Sequence, residues 1–167
     1  MPLEIVIEDS RWDDLDLTAL ADVALTETLS HLSVEHALCE VSLLACDDAR
    51  IAVLNADFRG KPSATNVLSW PAEERAASQA GERPEPVQPG PDGMIELGDI
   101  AISYDTCAAE AAAAGKPPSE HVTHLISHAT LHLLGFDHEN AQDAALMEGL
   151  EIEILGKLGL DNPYRES

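Results

Sequence analysis

The chain has 167 residues, 45% of them hydrophobic, and a formal net charge of −22 from 9 Lys plus Arg against 31 Asp plus Glu. That length and composition suit one globular domain with a substantial core and exclude a disordered polymer, and no apolar run approaches the ~18 residues of a membrane span. The acidity opposes non-specific adhesion to polyanions, although an acidic surface can still surround a locally basic cleft, because binding follows the local field.

Residues 3–8 alternate imperfectly and are rich in branched side chains, which predicts a strand. The first residues carry neither the basic nor the apolar region of a signal peptide, so a cytoplasmic protein is expected. Residues 13–31 predict a helix with Leu17, Ala21, Leu25, Leu29 and Leu32 as its apolar stripe. Residues 39–43 alternate as a second strand. Asp47 and Asp48 then offer N-cap oxygens to a short helix, in which Ile51, Leu54, Asn55 and Phe58 recur at helical spacing and which ends near Arg59 and Gly60. A loop follows, then a short strand over 66–70 that Pro71 stops. Two of the nine basic residues, Arg59 and Lys61, fall here, and by residue type alone they suit the negative end of the helix dipole.

Residues 72–93, rich in Pro, Gly, Glu and Ala, read as a mobile surface loop or lid. Residues 95–102 predict a strand whose Gly98 marks a bulge or a close backbone approach. Residues 104–114 predict an Ala-rich helix ended by Gly115 and by Pro117 and Pro118, and Ser119 is placed to cap the next helix. Met147, Leu150, Ile154 and Leu158 predict a final amphipathic helix closed by Gly159. Cys39, Cys46 and Cys107 lie far apart with no C-x-x-C, the usage of reduced cytosolic thiols, and burial is the expectation for them. The order predicts an α+β (α/β-like) fold: one small mixed four-stranded sheet packed on about five helices, in a single domain over 1–167.

Residues 121–139 hold five of the seven histidines. His128 and His132, four apart, stack on one helix face, a spacing at which two imidazoles reach one ion. His124, His128 and His132 cannot share an ion, because eight positions span about 12 Å of helix while zinc ligands stand only about 3.5 Å apart. Gly135 reads as a C-cap that takes φ > 0, after which the chain turns and His138 supplies the third ligand. Three His and one open position is the catalytic form of a zinc site. His121 and His124 read as same-face neighbours that are buried or support the ligands. The protease pattern H-E-x-x-H places a general base after its first His, and here that position is Ala129, which counts against peptide hydrolysis. The helix is apolar on much of its circumference, so it is expected to be the central, most buried one.

Three segments, H-A-T-L-H-L-L-G-F-D-H at 128–138, F-R-G-K-P-S-A-T-N-V-L-S-W-P at 58–71 and L-G-D-I-A-I-S at 97–103, resemble the YbeY family of bacterial rRNA-maturation endoribonucleases. The resemblance implies one zinc per chain on His128, His132 and His138, with Arg59 serving catalysis or RNA binding. It also implies cleavage of single-stranded rRNA, notably at the small-subunit rRNA 3′ end, and a role in ribosome quality control. The implied partners are single-stranded rRNA and the ribosome or a ribosomal protein, with no DNA and no membrane. The 72–93 segment is longer than the family spacing, and the acidity is unusual for an RNA enzyme.

Asp99, Asp137 and Glu139 are candidates to orient a ligand imidazole through its second nitrogen. Two other functions fit the residues. One is a zinc hydrolase of another substrate. The other is a non-catalytic assembly factor whose zinc is structural, for which a fourth protein ligand, such as Cys46 or Cys107 brought close in space, would close the site.

Overall fold

The computed structural model describes residues 3–77 and 79–164. Four strands, β1 (Leu3–Ile7), β2 (Cys39–Cys46), β3 (Val67–Pro71) and β4 (Ile95–Ser103), form one sheet in the order β1-β2-β4-β3. The β1–β2 and β2–β4 pairs are parallel and β3 runs antiparallel to β4, so the sheet is mixed as expected. Five α-helices accompany it among the described residues: α1 (Leu17–His31), α2 (Asp48–Arg59), α3 (Tyr104–Ala114), α4 (Pro118–Leu133) and α5 (Ala141–Lys157).

Alternation along the strands divides the apolar side chains between two faces. Val41, Leu43, Ile100 and Ile102 join the main core with residues of α1, α4 and α5. Cys46, Leu68 and Ala101 face the other way and meet Ile51 and Leu54 of α2 and, on β3 itself, Trp70. The histidine helix α4 contacts α1, α3, α5, β3 and β4 and buries Val122, Leu125, Ile126, Ala129, Leu131 and Leu133. It is the central helix, a stiff platform gripped from several sides.

Local chemistry accounts for most boundaries. Asp47 caps α2 by accepting from the Arg50 N–H at 2.9 Å, and Gly60 at φ 68° ends it. Gly98, at φ 138°, sits at the register shift between β2 and β4, where an added Cβ would also meet the backbone of Pro71 and Ala72 at 3.0 Å. The bulge and the close approach expected there are thus both present.

Two expectations need correction. Residues 13–31 are not one helix: a 3-10 turn over Ser10–Leu15 precedes α1, and Asp16 between them is left-handed at φ 48°. The turn buries Trp12, whose indole N–H donates to the Cys46 carbonyl at 3.0 Å, a long-range anchor that outweighs helical continuity. Ser119 does not cap α4. The N-cap position falls on Pro117 with Pro118 in the first turn, where a missing N–H leaves one fewer donor to satisfy, and the Ser119 carbonyl accepts from Thr123 Oγ1.

The segment over 72–93 carries no helix or strand among the described residues. Arg75 ties it down: its guanidinium donates to the carbonyls of Leu133 at 2.7 Å, Glu96 at 2.8 Å and Leu97 at 3.2 Å. A cation therefore bridges strand β4 and the C-terminal end of α4, where a positive charge suits the helix dipole. Among the described residues no helix is long and apolar enough to cross a membrane.

Candidate metal centre

The site is built on the last turn of α4 and the bend that follows. His128 and His132 project from one face, with their Nε2 atoms 3.1 Å apart. The helix stops at Leu133. The N–H groups of Gly135 and Phe136 donate back to the carbonyls of His132 and Leu131 at 3.0 Å, satisfying late helical acceptors. Gly135 is at φ 105°, and a Cβ there would lie 2.7 Å from the Arg75 carbonyl carbon, so glycine is required both by conformation and by the loop lying against it. The bend returns His138, whose ring centroid stands 5.3 Å from that of His128 and 5.1 Å from that of His132. The three residues offer ligand atoms within 4.8 Å of one another, a group that could hold a metal ion.

Hydrogen bonds set the tautomers of the first two rings. His128 Nδ1 lies 2.9 Å from Glu151 Oε1, and His132 Nδ1 lies 3.0 Å from the Phe136 carbonyl oxygen. A carbonyl and an ionised carboxylate only accept, so both Nδ1 atoms carry a proton, and the two Nε2 atoms face each other as the ligand positions. Burial, reinforced by the neighbouring His128, pushes the His132 pKa down to about 4, which keeps that ring neutral near pH 7. Burial works to raise the pKa of Glu151, but hydrogen bonds from His124 and His128 outweigh it and hold the group at about 2. Glu151 is fully buried, and it also accepts from His124 Nε2 at 2.9 Å and from the Tyr164 hydroxyl at 2.8 Å.

A second trio, His124, His128 and Glu151, also brings ligand atoms within 4.8 Å. There the imidazole N–H groups already point at the carboxylate, so it is a hydrogen-bonded support rather than an open set of lone pairs. His124 thus assists His128 through Glu151. His121 pairs instead with Glu110, at 2.9 Å, which also accepts from Asn66.

The carboxylates expected to orient the imidazoles do not do so. Asp99 and Glu139 are exposed, and Asp137 comes no nearer than 3.9 Å to His132 Nδ1. Glu151 takes that role for His128 from α5, far along the chain. Its signal was present: Glu151 lies among Met147, Leu150 and Ile154 at helical spacing, a lone carboxylate on a buried apolar stripe. The three thiols are buried and belong to neither trio, and burial raises Cys46 and Cys107 to about 12 and Cys39 to about 11.

The histidines open into a cleft of about 610 Å³ that is also lined by Arg59, Asn66, Ser69 and Tyr164. Arg59 is exposed at the end of α2, and among the described residues it has no ion-pair partner, whereas Arg11 and Arg50 are held by carboxylates. The structure thus brings Arg59 to the same cleft as His128, His132 and His138.

The family model described as Endoribonuclease YbeY matches residues 4–159. A protein named Endoribonuclease YbeY from Dinoroseobacter shibae is 60% identical over 162 residues, covering 97% of this chain and 90% of its own length. One of the same name from Ruegeria pomeroyi is 57% identical, covering 98% of each chain. The solution structure of TM1509 from Thermotoga maritima shares the fold at a TM-score of 0.54 and 17% identity, over 98% of this chain and 99% of that one. The chain belongs to the YbeY family.

Proposed function

Starting from that membership, we propose that the chain is a zinc-dependent, single-strand-specific endoribonuclease that acts in the cytoplasm on rRNA. Its task in this reading is maturation of the small-subunit rRNA 3′ end and ribosome quality control, with the ribosome or a ribosomal protein assisting docking. The whole chain, 1–167, works as one domain, with 72–93 as a loop beside the site. One observation carries the proposal: two imidazoles with facing Nε2 atoms and a third from the bend converge on an open cleft that also holds Arg59, which has no ion-pair partner among the described residues.

His128, His132 and His138 are the ligands of one zinc ion. Three neutral nitrogen donors suit zinc, and a three-protein-ligand set is the catalytic form. Zinc held there supplies Lewis acidity towards a phosphate oxygen and lowers the pKa of water towards about 7. Glu151 and the Phe136 carbonyl hold the rings of His128 and His132 by their Nδ1–H groups, so neither can turn its lone pair away. Arg59 forks onto the phosphate and offsets the charge that develops as the bond breaks. A structural zinc would call for a fourth protein ligand, and among the described residues the trio gains none.

The test is a comparison of variants. Replacing His128, His132 or His138 with Ala should lower zinc content sharply and abolish cleavage of single-stranded rRNA fragments, while His121→Ala should keep most of both. Full zinc in His138→Ala would overturn the ligand set.

A further inference from the structure

The acidic residues of this chain avoid two stretches above all others. Residues 58–72 and 121–136 contain no Asp or Glu, and they are the two longest such runs in a sequence with 31 acids. The second run carries the histidines. The first wraps β3, an edge strand of the sheet, and supplies Arg59 and Lys61. Val67 and Ser69 face the cleft, while Leu68 and Trp70 point to the α2 side of the sheet. The strand edge therefore carries two cations and no carboxylate of its own from the cleft round to the opposite face, where Asp99 of β4 stands across from Trp70.

Phe58 stands at the start of that stretch. It is 65% exposed, the most exposed large hydrophobic side chain among the described residues. It is nevertheless held in place: the Trp70 ring meets it at a centroid distance of 5.4 Å and 62° between planes. An edge-on aromatic neighbour fixes the ring and leaves its other side to solvent. Burial explains neither the size of this side chain nor its position one residue before the arginine of the cleft.

We propose that Phe58 is a base-stacking residue for single-stranded RNA, holding a nucleobase that flanks the phosphate engaged by Arg59. The inference rests on the endoribonuclease reading above. Aromatic side chains beside a positive track are the general means of holding single strands, because every base has a π face, whereas a paired duplex withholds its faces. The same pairing of stacking and charge lets a chain of net charge −22 hold a polyanion: repulsion from the distant acids is screened within about 8 Å at physiological salt, while Arg59 and Lys61 act at contact. Stacking supplies a share of affinity that salt does not weaken.

The experiment uses zinc-loaded full chain and a short fluorescent single-stranded RNA, reading KM and kcat, with a parallel series of RNAs that carry one abasic position each. Phe58→Ala should raise KM by about tenfold with kcat little changed, and Phe58→Trp should restore KM. In the wild type one abasic position should weaken binding by a similar factor, and in Phe58→Ala that penalty should vanish. Thermal melting checks that these exposed substitutions leave the fold intact. Wild-type KM in Phe58→Ala, with the wild type cleaving normally, overturns the stacking role alone and leaves the enzyme standing. A wild type that neither binds nor cleaves the RNA overturns both.

Discussion

Gly135→Ala tests how the bend that carries His138 is held. A non-glycine residue at φ 105° carries backbone strain of about 1–3 kcal/mol. The new Cβ would also run into the Arg75 backbone, so the loop must retreat. Its guanidinium bonds to Glu96, Leu97 and Leu133 then weaken, by about 2 kcal/mol together for partly exposed charge-assisted bonds. The sum, roughly 4 kcal/mol, should lower the Tm by about 8–16 °C for a domain of this size. Gly115→Ala is the control. It too ends a helix at positive φ, 67°, but a Cβ there meets nothing within 4 Å. At φ 67°, in the ordinary left-handed region, the strain is about 1 kcal/mol, so the Tm should fall by only about 2–4 °C. Zinc affinity, read by competition with a chromophoric chelator, should fall in Gly135→Ala and hold in Gly115→Ala. Equal melting shifts and unchanged zinc affinity in both variants would refute the reasoning.

Glu151→Gln keeps the shape but removes the charge that fixes His128, so zinc affinity should fall about 10–100-fold without loss of a ligand; isothermal titration measures it, and wild-type affinity would show that the buried carboxylate is only structural. Arg59→Ala should retain zinc and melting temperature yet lose about 10²–10³ in cleavage rate; single-turnover assays on single-stranded rRNA fragments decide, and an unchanged rate removes Arg59 from catalysis. In the zinc-free protein His132 has a folded pKa of about 4 against 6.5 in the unfolded chain. The unfolded state therefore binds the extra proton first, and stability should be full above about pH 6.5 and decline as the pH falls towards 4. Denaturant titrations across that range should show the decline in the chelated wild type and a flatter profile in His132→Asn.

Local rules bring the three histidines together but miss the side chains that hold them. The spacing of His128 and His132 is a property of any helix, and Gly135 announces the turn that returns His138, so these residues could be placed together from sequence. The bulge at Gly98 was legible for the same reason, a single glycine inside a strand pattern. Arg75 was not, because its three carbonyl partners lie on two other elements and nothing in a Pro-rich loop marks one arginine as a staple. Proximity in sequence points to Asp137 and Glu139, and the L-G-D-I-A-I-S motif to Asp99, rather than to Glu151. Proximity along the chain is a weak guide where a long-range helix packs on the site, and the buried position of a carboxylate is the stronger one. The break at Asp16 was hidden because a helical pattern continues through it, while the burial of Trp12 beneath the end of β2 decides the backbone.

If zinc on the three histidines drives cleavage of RNA, activity must follow the metal. The direct measurement is cleavage of a single-stranded small-subunit rRNA fragment by purified wild-type chain before chelation, after it, and during stepwise return of zinc. Cleavage should disappear with the metal and recover in proportion to zinc, saturating at one equivalent per chain. Undiminished cleavage by the fully chelated protein would contradict it.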